Sequence, residues 1–160
     1  MRRTFLALLL VCGFGLSLAS FSTAHAANGA TGSVAVTVHL RYCPIDVVNS
    51  PDIGFYDGCH DNALGGEFLT LAGLAIEPVS FVTDWTGNGT AVVDGVAAVD
   101  QVTLWADASL TGATNSYAYC SDQTDGSVLL NMPVAPGGAL PLFTVDQSQE
   151  IICDWYIYTD

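Results

Sequence analysis

Four cysteines offer the clearest chemistry in this 160-residue chain: Cys43, Cys59, Cys120 and Cys153. A fifth, Cys12, lies in an apolar leader that is read below as removed on export. An even number of cysteines in an exported chain predicts two disulfides, with three possible pairings. The pairing Cys43–Cys59 would close a long loop locally, and Cys120–Cys153 would tie a middle strand to the last one; we favour this pair of bonds. Each bond stabilises a fold by about 2–4 kcal/mol, chiefly by restricting the unfolded chain. Zinc held by cysteines and His60 is the competing chemistry. The chain has no Cys-x-x-Cys pair of the kind that compact tetrahedral sites use.

A second cluster surrounds His60. Asp57, Asp61 and Asn62 would be the ligands of a calcium loop, because calcium takes six to eight oxygens from carboxylates and carbonyls. Their spacing does not match an EF-hand loop, and the same residues serve equally as a turn in which Asp and Asn cap backbone amides. If calcium binds, adding it raises the melting temperature; an unchanged value with and without chelator removes the idea. Trp85, Trp105, Trp155 and six tyrosines could supply a saccharide platform or a packed core. Trp155 alternates with Cys153 and reads as core, whereas Trp85 lies in a turn and is the better candidate for an exposed ligand-binding residue. His39 and Arg41 share the polar side of the first strand. No serine or cysteine nucleophile has a base positioned beside it by the sequence, so no catalytic residue is assigned.

These groups are set in a chain with a marked compartment signal. Arg2 and Arg3 precede an apolar run from Phe5 to Leu18, and Ala24-His25-Ala26 matches a small-x-small cleavage site. Residues 1–26 therefore read as a signal peptide. The run is about 14 residues, short of the ~20 that a spanning helix needs. Residues 27–160 are read as one β-sandwich domain, long enough to bury a core. This part carries all sixteen carboxylates of the chain, one arginine (Arg41) and no lysine. No basic patch can form, which argues against nucleic acid and against anionic membrane surfaces. The carboxylates are scattered, as a self-repelling soluble surface requires.

The elements that must hold the chemistry are strands. Val34, Val36, Val38, Leu40 and Tyr42 alternate with Ser33, Ala35, Thr37, His39 and Arg41, a period of two that predicts a half-buried strand. Arg41 to Leu71 then forms a long polar loop running into a strand at 66–71. Further strands are predicted at 75–84, 90–93, the second half of 96–106, 116–122, 127–132, 140–145 and 149–158. Turn signals separate them, notably Asn88-Gly89, Asp94-Gly95 and Asp125-Gly126. Ile151, Cys153, Trp155 and Ile157 face one way in the last strand, and Ile152, Asp154, Tyr156 and Tyr158 the other. No window shows sustained helical periodicity. The pattern is that of an all-β sandwich.

Several motifs together resemble one family. Val38-His39-Leu40-Arg41-Tyr42-Cys43-Pro44 precedes Asp57-Gly58-Cys59-His60-Asp61-Asn62-Ala63-Leu64-Gly65-Gly66. Thr83-Asp84-Trp85-Thr86-Gly87-Asn88-Gly89 follows, and Cys153-Asp154-Trp155-Tyr156 lies in the last strand. Over residues 34–158 the chain resembles the prealbumin-like, Cna-B-type (Ig-like) bacterial surface domains, in a cysteine-bearing variety. The resemblance implies an Ig-like sandwich of about seven to nine strands with two disulfides, displayed outside the cell as a stalk or adhesin module. Many such domains carry a lysine–asparagine cross-link. With no lysine, this chain cannot form it, and the disulfides would take over that stabilising role. A prealbumin-like enzyme, hydroxyisourate hydrolase, uses histidines and an arginine. Its Tyr-Arg-Gly-Ser ending is missing here, where Tyr158-Thr159-Asp160 stands.

The reading is a secreted or cell-surface structural or adhesion module, without catalytic activity or cofactor. Its expected partners are proteins, glycans or further copies of itself. The alternative is an extracellular module that binds a glycan or calcium.

Overall fold

The computed structural model describes residues 32–48, 54–96, 100–106, 115–134 and 138–158. Residues 1–26, read above as a signal peptide, lie outside them, as do Pro51-Asp52, a pair that reads as a turn signal, and residues 107–114. Among the described residues, nine strands form two sheets. The first strand, β1 (Gly32–Tyr42), is followed by two short helices, α1 (Ile45–Val48) and α2 (Phe55–Cys59). Then come β2 (Phe68–Gly73), β3 (Val79–Val82), β4 (Asn88–Val96), β5 (Asp100–Ala106), β6 (Asn115–Asp122), β7 (Val128–Val134), β8 (Phe143–Val145) and β9 (Glu150–Tyr158). One sheet has the order β4-β1-β9-β6-β7 and the other β3-β2-β5-β8. All pairings are antiparallel except β1 with β9, the first and last strands, which run parallel at the centre of the larger sheet. The protein is an all-β sandwich with two disulfides.

The core follows from alternation. Val34, Val36, Val38 and Leu40 of β1 are buried, as are Ile151, Cys153, Trp155 and Ile157 of β9. They meet Leu69 and Leu71 of β2, Val102 and Leu104 of β5, and Phe143 and Val145 of β8 in one apolar cluster. At about 25 cal/mol per Å² of apolar surface removed from water, such side chains contribute most of the driving force for folding. Tyr42 departs from the predicted inward side and is partly exposed, because β1 ends there and Cys43 turns the chain away.

Four local expectations are corrected. The polar loop after Arg41 contains α1 and α2, helices of four and five residues that are too short to show a helical period. Asn88-Gly89 is not a turn but the start of β4. The chain reverses one step earlier, where the Asp84 carboxylate accepts hydrogen bonds from the Thr86 N–H (2.8 Å), the Thr86 hydroxyl (2.6 Å) and the Asn88 N–H (3.0 Å). Asp94-Gly95 does not end a strand either. Gly95, at φ +80°, is an extra residue in β4, where the register against β1 shifts between Gly32 and Ser33. Finally, the strand predicted over 75–84 shrinks to Val79–Val82, at the edge of its sheet just after Pro78, where the missing N–H of proline is tolerated.

Both disulfides take the favoured pairing. Cys120 and Cys153 sit directly opposite each other on β6 and β9, with Cα atoms 4.0 Å apart, facing the sandwich core. Cys43 and Cys59 join the end of β1 to the end of α2, with Cα atoms 5.0 Å apart.

Candidate functional site: a polar groove on the outer face of the larger sheet

Because β1 and β9 run parallel and in register, their outward residues stand side by side. His39 pairs with Asp154, and Arg41 with Tyr156. The His39 ring is 2.9 Å through Nδ1 from Asp154 Oδ1, and both side chains are partly buried. The carboxylate thereby sets the orientation of the ring.

Arg41 is held from its other side. One guanidinium nitrogen donates to the carbonyls of Leu40 (2.9 Å) and Thr86 (3.0 Å), and the second donates to Asn88 Oδ1 (3.0 Å). The 84–88 turn is thus tied to the sheet by Arg41, the one arginine of residues 27–160. The backbone reinforces this: Leu40 donates its N–H to the Gly87 carbonyl (2.8 Å), and Leu64 donates to the Leu40 carbonyl (3.1 Å). Gly87, at φ +71°, has no room for a side chain, since a Cβ would lie 2.5 Å from the Leu40 oxygen. The hydrogen bond from the Thr86 hydroxyl, with those from the Asn88 and Thr86 amides, holds the Asp84 carboxyl below the usual carboxylate range.

Helix α2 forms the wall at the far end. Phe55 stacks on Tyr117 (centroids 4.8 Å apart) and Tyr156 (5.5 Å), and also meets Tyr158 (6.0 Å). This small aromatic cluster packs with the Cys43–Cys59 bond, apart from the main core. Burial, and next the nearby Asp154 charge, push the Tyr156 hydroxyl far above the ordinary phenol range. The seat leaves Tyr56 outward, 64% exposed, with its ring stacked at 5.5 Å on His60.

Between these walls lies a groove of about 390 Å³, lined by His39, Arg41, Tyr56, His60, Asn88, Ser121, Gln123, Ile152, Asp154 and Tyr156. Its size is within the range that holds small ligands. It brings together Arg41 and both histidines of residues 27–160, in a chain otherwise dominated by carboxylates.

The residues singled out in the sequence fall as follows. Trp155 is core, 1% exposed, and Trp85 is 88% exposed on the Asp84 turn. Trp105 is 47% exposed on the outer face of the smaller sheet, beside a shallow hollow shared with Phe68. Asp57 is an exposed residue of α2. Asp61 is exposed with its Oδ1 3.2 Å from His60 Nε2, and the exposed Asn62 donates its N–H to the Cys59 carbonyl. Among the described residues no group of three or more His, Cys, Asp or Glu side chains is gathered as a metal would require. Also among them, no helix is long and apolar enough to cross a membrane.

The sequence alone did not bring His39, Asp154 and Asn88 together. The available signal was their outward position in strands of alternating pattern, and it lacked the parallel pairing that joins them.

No protein-family model matches the chain, and no curated protein matches it. Among solved structures it is similar to the major pilin from Streptococcus pyogenes, at 11% identity and a TM-score of 0.37. Two single-residue mutants of that pilin give the same identity and a TM-score of 0.38. Each match covers 80% of this chain and 48% of the pilin, so this chain spans about half the pilin's length.

Proposed function

We propose that this protein is an exported, disulfide-locked β-sandwich that acts at or beyond the cell surface as a structural or adhesive module. The observation that carries the reading is the pair of fully buried disulfides. Such bonds form and persist in oxidising compartments. The signal-peptide pattern of residues 1–26 supports the same compartment, and sixteen carboxylates against one arginine in residues 27–160 favour a soluble, self-repelling surface.

The test is the covalent state of natively exported protein. Alkylation followed by mass spectrometry is expected to find no free thiol and an N-terminus near Ala27. Four free thiols in that material would overturn the reading.

A second reading, an extracellular ligand-binding module, is favoured by one observation: the walled polar groove on the larger sheet.

A further inference from the structure

We propose that the groove on the outer face of the larger sheet binds a saccharide. The inference deepens the ligand-binding reading, and it rests on which hydrogen-bonding groups are already committed. Asn88 has its carbonyl oxygen engaged by Arg41, so its amide is left as a donor. Asp154 has one oxygen on His39, which leaves the other as an acceptor. Arg41 makes three hydrogen bonds of the five its guanidinium can donate. The groove therefore presents donors from Arg41 and Asn88 and an acceptor from Asp154, held in place before any ligand arrives.

That set matches hydroxyl groups, each of which both donates and accepts. It matches other ligands poorly. A phosphate would meet the Asp154 carboxylate. A metal cation would meet the Arg41 charge, and an apolar ligand would find little beyond Ile152 and ring faces. Tyr56 completes the argument. Its exposed ring is fixed by stacking on His60 and by a helix cross-linked to β1, so a sugar's C–H face can pack on it with little loss of side-chain freedom.

The experiment applies the oxidised full-length exported protein to an array of neutral and uronate-bearing glycans, alongside Tyr56→Ala, Asn88→Ala and Phe68→Ala. Phe68 lies beside the hollow of the opposite sheet and serves as the control. Binding to at least one glycan class is expected, weakened about tenfold or more by Tyr56→Ala and by Asn88→Ala, as for central contact residues, and retained by Phe68→Ala. Melting curves check that each variant is folded. If Asn88→Ala unfolds, Tyr56→Ala alone decides, because its ring is exposed. A wild-type chain that retains no glycan, or binding that survives Tyr56→Ala, overturns the proposal. Neutral against uronate-bearing arms report whether Arg41 meets a carboxylate. A fully oxidised chain without glycan binding would refute the groove and leave the exported-module reading standing, whereas free thiols would refute that reading instead.

Discussion

Removing the Cys120–Cys153 bond tests how the sandwich is held. The bond spans a sequence separation of 33, against 16 for Cys43–Cys59. Loop-closure entropy alone then assigns about 4 kcal/mol to the first and about 3 kcal/mol to the second. The structure widens this gap. Cys120 and Cys153 join β6 to β9 inside the main core, where replacing both sulfurs also leaves a gap among packed side chains. Cys43 and Cys59 belong to the small aromatic cluster under α2, which can open while the two sheets stay packed. The double variant Cys120→Ala/Cys153→Ala is therefore expected to lower the melting temperature by more than about 10 °C, at a few degrees per kcal/mol. Cys43→Ala/Cys59→Ala is expected to shift it less, while amide exchange at 54–60 accelerates. Calorimetry at fixed pH with exchange mass spectrometry reads both effects. A larger melting shift for Cys43→Ala/Cys59→Ala, or no added exchange at α2, would refute the division into a main core and a separable flap.

Three further outcomes are expected. Gly87→Ala places a Cβ against the hydrogen-bonded Leu40 carbonyl in a left-handed backbone conformation, and chemical denaturation should show a loss of about 1–3 kcal/mol. The Asp84 carboxyl is held below its ordinary range in the folded state, so its stabilising effect is fully present above the unfolded carboxylate pKa of about 4 and fades as pH falls through the lower folded value. The melting gap between wild type and Asp84→Ala should accordingly be widest near neutral pH and narrow towards about pH 2; a gap independent of pH would contradict the capping role. Arg41 is the only tryptic site in residues 27–160. The N–H groups of Tyr42 and Cys43 beside it are bonded to Asn62 and Ile157, so gel electrophoresis should show the oxidised protein persisting under trypsin and being cut quickly once reduced and unfolded.

Local features of the sequence reached far into this fold. The two-residue alternation of β1 and β9 identified which side chains enter the core, since a strand can bury only one face against its partner sheet. Four cysteines, two of them flanking a long loop, were enough to anticipate both cross-links. Trp155 was read as buried and Trp85 as exposed from alternation and turn chemistry alone. The errors are equally local. Helices of four and five residues leave no periodic trace. Asn88-Gly89 carries a strong turn signal that the Asp84 carboxylate overrides by closing the reversal first.

The groove belongs to the tertiary structure. His39 and Asp154 are 115 positions apart, and alternation says which face each occupies but not which strand lies beside which. Any half-buried strand can in principle pair with any other, and the choice is made by how the strands pack together around one core. Here it placed the first and last strands in parallel contact. That contact set a histidine on a carboxylate, brought Arg41 against the 84–88 turn, and let a disulfide hold Tyr56 at the edge of the groove. Local sequence determined which residues were available on the surface; long-range strand pairing decided that they meet.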